Sequence, residues 1–139
     1  MIINNVKIVT LDSVIENGHV VIKNDKIIKI STTPYIGNED EVIDASSLIM
    51  MPGFIDVHIH GSNGVDFMDA SKEDIKNIAT SLYQEGVTSF LATTLTSDTE
   101  SLEKVCKVIK EAKEEVSSLV GIHFEGPYIS KKYKISLDI

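Results

Sequence analysis

Hydrophobic and polar positions change their rhythm once along this chain, at Pro52-Gly53. Before that point short β-branched runs recur: Ile2-Ile3, Val6-Lys7-Ile8-Val9 and Val20-Val21-Ile22. Runs of this length and composition predict strands. Asn24-Asp25 lies between residues 20–23 and 26–30 and predicts a two-residue hairpin turn. Asn17-Gly18 predicts another turn, Pro34 and Gly37 mark a loop, and Glu41-Val42-Ile43-Asp44 predicts a further strand. Strands so few and so short do not close a barrel by themselves.

Beyond Pro52-Gly53, strand and helix patterns alternate. Residues 53–60 are an apolar run short enough for a strand, and residues 61–64 form a loop. Ser71 followed by Asp74 is a helix-capping signal. Ile75, Ile78, Ala79, Leu82 and Tyr83 then fall on one helical face, and Gly86 closes the helix. Residues 87–94 predict a second strand. Ser97 with Glu100 predicts the start of a second helix, with Leu102, Val105, Cys106, Ile109, Ala112 and Val116 as its buried stripe. Residues 119–125 predict a third strand, stopped by Gly126-Pro127. Strands and helices in this order predict right-handed crossovers and a parallel sheet, hence an α/β fold.

The period of two in a strand selects the candidate chemistry. His58 and His60 point to one side with Asp56, while Val57 and Ile59 point the other way, into apolar packing. Two imidazoles on one face at a strand's end can grip one metal ion, and imidazole suits zinc or iron. The competing reading is two polar residues on a solvated face. Apolar flanks predict instead a buried strand, in which histidines must find partners. His123 and Glu125 share parity in the third strand. Sites in parallel α/β folds form at the C-terminal ends of strands, where His60 and Glu125 both fall. His58, His60 and Glu125 are therefore the candidate metal ligands. His19 has no partner motif and reads as structural or exposed. Cys106 belongs to a buried stripe and reads as core, not as a nucleophile.

Composition narrows the class. The 139 residues suit one domain of ordinary size, and 42% hydrophobic with 24% charged residues excludes a disordered chain. A net charge of −8 argues against nucleic acid or an anionic membrane as partner, but not against a phosphorylated small molecule, because local fields decide binding in a pocket. The single cysteine rules out an internal disulfide and fits a reducing compartment. No apolar run reaches the ~18 residues of a membrane span, and the N-terminus lacks the layout of a signal peptide, so the expected location is cytoplasmic.

Pro52-Gly53-Phe54-Ile55-Asp56-Val57-His58-Ile59-His60-Gly61 resembles the signature of the amidohydrolase superfamily. Gly121-Ile122-His123-Phe124-Glu125-Gly126-Pro127-Tyr128, preceded by Thr88-Ser89-Phe90-Leu91-Ala92-Thr93-Thr94, narrows the likeness to the N-acetylglucosamine-6-phosphate deacetylases. The likeness runs from residue 1 to about residue 134. It implies an incomplete (β/α)8 barrel of the TIM type, with its first three strands in residues 51–134. Residues 1–50 would be part of a small β-sandwich, and residues 135–139 a divergent tail. It implies hydrolysis of the acetamide of N-acetylglucosamine 6-phosphate to glucosamine 6-phosphate and acetate, in amino-sugar catabolism. It also implies Glu125 as a metal ligand, His58 and His60 as ligands of a second ion in members that hold two, zinc or iron as the metal, and a homodimer. The family's Gly-Ala-His-like motif is expected within about a dozen residues of the Glu-Gly-Pro segment. Here Lys131-Lys132-Tyr133-Lys134 fits, and Ile135-Ser136-Leu137-Asp138-Ile139 does not. No counterpart of the family's later metal histidines or catalytic aspartate follows, so no catalytic base is assigned. Asp56, deep in a strand, is expected to make a structural hydrogen bond. The resulting expectation is a truncated deacetylase without turnover of its own. A dihydroorotase- or deaminase-like amidohydrolase would share the His-x-His strand but not the His123-Phe124-Glu125-Gly126-Pro127 segment. A non-catalytic metal-binding fragment is the other alternative.

Overall fold

A computed structural model describes residues 1–35, 41–128, 130 and 132; Gly37 of the expected loop and the expected divergent tail at 135–139 lie outside the described residues. The chain divides into two compact units, Met1–Pro52 and Gly53–Ile139.

In the first unit β1 (Ile2–Val9), β2 (Val14–Lys23) and β3 (Lys26–Ser31) run antiparallel in succession. The short strands β4 (Val42–Asp44) and β5 (Ile49–Met50) both lie parallel to β1. Asn24 and Asp25 turn the β2–β3 hairpin with φ of 51° and 58°, the left-handed pair that a twisted two-residue hairpin requires. Val6, Ile8, Val20 and Ala45 form the core. His19 is buried beside it, with Nδ1 2.8 Å from Asn4 Oδ1, a structural role.

Asn17-Gly18 is not a turn. It lies inside β2, and the chain reverses instead at residues 10–13, where Thr10 Oγ1 accepts from the Ser13 N–H at 3.0 Å. The reason for the glycine is tertiary. A Cβ at position 18 would collide with the side chain of Ile8, so Gly18 leaves the room that a core isoleucine occupies.

The second unit holds β6 (Phe54–Ile59), the small hairpin of β7 (Gly61–Ser62) and β8 (Val65–Asp66), α1 (Lys72–Gln84), β9 (Val87–Thr93), α2 (Thr99–Lys113) and β10 (Leu119–His123). β6 and β10 flank β9, and both are parallel to it. Ser71 caps α1 through a reciprocal box: its Oγ accepts from the Asp74 N–H, and Asp74 Oδ2 accepts from the Ser71 N–H. Ile75, Ile78, Ala79 and Leu82 of α1 pack in one core with Phe90 and Ala92 of β9 and Val105, Ile109 and Ala112 of α2. The parallel α/β layout read from the sequence is thus present, and among the described residues no helix is long and apolar enough to cross a membrane.

Four local expectations need correction. α2 is capped by Asp98, not Ser97, because the Asp98 carboxylate is the acceptor that receives the Ser101 N–H, at 2.9 Å. Tyr83 and Cys106 fall at the margins of their helix faces, half-exposed and partly buried, because the buried arc of each helix is narrower than the apolar arc. β10 ends at His123, so Glu125 lies beyond the strand. β6 is not a buried strand. Among the described residues it pairs only with β9, and that edge position leaves Phe54, Ile55 and Val57 56%, 70% and 57% exposed.

Candidate metal centre

The site begins with an irregularity in β6. Asp56 pairs with Phe90, and Ile59 with Ala92, so the register slips between them and Val57 and His58 have no partner on β9. Three side chains take up the backbone groups of this step. The His58 N–H donates to Asp56 Oδ1 at 3.0 Å, the structural hydrogen bond expected of Asp56. The Ile59 N–H donates to Thr93 Oγ1, also at 3.0 Å. The Val57 carbonyl accepts from His123 Nδ1 at 2.7 Å. Presentation of the two histidines is therefore fixed by side chains where the strand ladder lapses.

Glu125 reaches the same place from the segment after β10. The Thr94 N–H donates to the His123 carbonyl at 3.0 Å, and Thr96 Oγ1 donates to the Glu125 carbonyl at 3.3 Å. Gly126 follows with φ of 88°, and a Cβ there would collide with Thr96, so a glycine is required twice over.

The three predicted ligands come together. His58 Nε2 and His60 Nε2 are 3.2 Å apart, and each lies 3.1 Å from Glu125 Oε2. Donors about 2.1 Å from one divalent ion, at angles between octahedral and tetrahedral, stand ~3.0–3.4 Å apart, which matches this triangle. The donor set also fits. With hydrogens on Nδ1, two imidazole lone pairs and a carboxylate oxygen face one another, and they repel unless a cation lies between them. The His60 Nδ1 atom is buried and makes no hydrogen bond among the described residues. A cleft of about 320 Å³, lined by His60, Gly61, Ser62, Gly64, Val65 and Asp66, opens beside the cluster. A larger cleft, about 460 Å³, lies in the first unit between apolar walls; among its described lining residues Asp12 is the one ionisable group, and no such cluster is found there.

Two residues at the site, Thr93 and His123, stand in the segments that carry the resemblance, but the sequence reading assigns neither a part in the site. His123 shares parity with Glu125, which was a usable signal; its ring stands edge-to-face against that of His58, with centroids 4.7 Å apart.

Residues 49–137 match the amidohydrolase family. The N-acetylglucosamine-6-phosphate deacetylase of Bacillus subtilis is 40% identical over 139 residues, covering 95% of this chain and 35% of the relative. That of Lysinibacillus sphaericus is 35% identical, with the same coverage of both chains. Among solved structures, the N-acetylglucosamine-6-phosphate deacetylase of Thermotoga maritima superposes with a TM-score of 0.78 at 36% identity, over 95% of this chain and 34% of that one. The Pasteurella multocida enzyme of the same name gives a TM-score of 0.85 at 30% identity, over 94% and 35%. The chain spans about a third of the length of these relatives.

Proposed function

The chain belongs to the amidohydrolase family, and on that premise we propose that His58, His60 and Glu125 are metal ligands of an N-acetylglucosamine-6-phosphate deacetylase site. The observation that carries this reading is the triangle of 3.1–3.2 Å formed by two imidazole nitrogens from the end of β6 and one carboxylate oxygen from the segment after β10. The substrate follows from the names of the relatives: the acetamide of N-acetylglucosamine 6-phosphate, hydrolysed to glucosamine 6-phosphate and acetate. β6, β9 and β10 are read as the first three strands of a (β/α)8 barrel in residues 51–134, and residues 1–50 as part of a small β-sandwich. Residues 135–139 are read as a divergent tail, and a homodimer by family analogy.

A divalent ion, zinc or iron, held by these residues would supply a water acidified toward a pKa of ~7 and a Lewis acid for the amide carbonyl. This chain's own residues do the holding. His58 and His60 offer neutral nitrogen lone pairs. Glu125 offers negative charge at the same point, which offsets part of the charge of an ion there. Asp56 and Thr93 hold the backbone that carries both rings. Asp56 Oδ1 accepts the His58 N–H, and Asp56 is not assigned as a general base; metal binding by this chain without turnover of its own is the reading we propose.

Zinc titration into the full chain, with a parallel assay for released acetate, tests both parts. Saturable binding is expected, lost in Glu125→Gln and in the His58→Asn/His60→Asn double variant, with no acetate formed. Absence of binding, or binding unchanged in those variants, would overturn the ligand assignment. Acetate release by the purified chain would overturn the absence of turnover.

A further inference from the structure

His123 closes β10 and is paired with Thr93 on β9, yet its ring nitrogen meets the backbone of β6, on the far side of β9. We propose that His123 is a positioning residue for the metal ligand His58. Its Nδ1–H holds the Val57 carbonyl, and its ring holds the ring of His58, so that His58 Nε2 faces Glu125. The inference rests on the metal reading given above.

Val57 and His58 lie in the step where β6 has no ladder partner on β9, so the peptide between them is not oriented by the sheet. That peptide sets the direction in which the His58 side chain leaves the backbone. Its carbonyl is an acceptor only, so the nitrogen 2.7 Å away must carry hydrogen, which places a hydrogen on His123 Nδ1. On the other side, the His123 and His58 rings meet at 73° with centroids 4.7 Å apart, an edge-to-face contact within the favoured range. One residue thus constrains His58 twice, at its backbone and at its ring. Its neighbour Glu125 is two positions along the same segment, so the geometry links the two sides of the ligand triangle through His123.

The test compares full-length wild type with His123→Asn, which keeps an amide N–H near the Nδ1 position, and His123→Leu, which keeps bulk but no donor. Zinc affinity is measured by calorimetry, the visible spectrum of bound cobalt(II) reports ligand geometry, and circular dichroism reports folding. The His123 tautomer in wild type is read by NMR on nitrogen-labelled histidine. The expected result is an Nδ1–H tautomer, about 10–100-fold weaker zinc binding with an altered cobalt spectrum in His123→Leu, and a loss of less than about tenfold in His123→Asn, which keeps the donor but not the ring. A folded His123→Leu with wild-type affinity and spectrum would overturn the proposal. So would an Nε2–H tautomer, or a His123→Asn weakened as far as the leucine variant. Should His123→Leu not fold, a His123→Asn weakened by less than about tenfold together with the Nδ1–H tautomer supports the proposal, and failure of either overturns it. Wild type that binds no zinc would instead overturn the metal reading, and this inference with it.

Discussion

Thr93 and Thr94 are adjacent and both fully buried, yet the same substitution is expected to act on them in opposite senses. Thr93 Oγ1 accepts the N–H of Ile59, a backbone group that the slipped β6 ladder leaves over. Thr94 Oγ1 is buried without a partner among the described residues. Valine matches threonine in shape and lacks the oxygen. Thr93→Val therefore strands the Ile59 N–H and should lower stability by about 1–3 kcal/mol. Thr94→Val removes an unpaired polar atom and should leave stability unchanged or raise it. Urea midpoints of the two variants against wild type check the pair, and equal shifts in one direction would refute the assignment of hydrogen bonds. Much at this scale was legible in the sequence. Side-chain parity placed His58 and His60 together because a period of two is a property of any strand, and Asp56 was read as structural. The slip that frees Val57 and His58 was not legible, because register is decided by the neighbouring strand. Without the slip, Thr93 and His123 had no backbone groups to serve, so their parts stayed hidden.

Helix boundaries are legible in the sequence where one local signal stands alone and less so where several compete. Ser71 and Asp74 form the capping box that their spacing announces. At α2 three adjacent cap-forming residues, Ser97, Asp98 and Thr99, could each have started the helix, and choosing among them needs the backbone angles. Asn17-Gly18 shows the same limit in a strand, since its turn signal is local while the demand of Ile8 comes from a different strand. One contact between helix segments had no sequence signal at all. Glu115, just past α2, accepts from both Lys72 and Lys76 at the start of α1. Hydrogen bonds from Lys72 first and Lys76 second hold its carboxyl down at about 2, from an ordinary 4.5. Because the folded value lies below the unfolded one, the pairing stabilises the fold above pH 4.5 and the contribution is lost as pH falls toward 2. Glu115→Gln is thus expected to melt below wild type at pH 7, and the gap should close on acidification. The groups are solvated, so added salt should also narrow the gap at pH 7. A gap independent of pH would mean that packing, not charge, sets the effect.

At the scale of the molecule, the sequence separated a β-rich first part from an α/β second part because the hydrophobic period changes between them. It did not show which apolar residues stay uncovered. An apolar run reads the same whether a neighbouring strand covers it or not, and so β6 was read as buried. In the structure Phe54, Ile55 and Val57 of β6 are more than half exposed, and in the other unit Ile27, Ile28 and Ile30 of β3 are 57%, 59% and 43% exposed. Among the described residues β3 pairs only with β2 and β6 only with β9, so each also presents unpaired backbone groups along one side. An apolar strand with a free edge is a template for another chain. The net charge of −8 opposes that encounter at low ionic strength. The chain is therefore expected to self-associate, with light scattering that rises with concentration and rises further when salt screens the repulsion. Lysine on an exposed edge strand is a natural guard against such pairing, so Ile28→Lys and Ile55→Lys should each reduce the scattering. Each substitution also makes the net charge less negative, so a fall in association could not come from stronger repulsion between chains. It would have to come from the edge itself. A wild-type chain that stays monomeric across the concentration range, with and without salt, would show that the exposed strands are not the association surface that their burial and pairing describe.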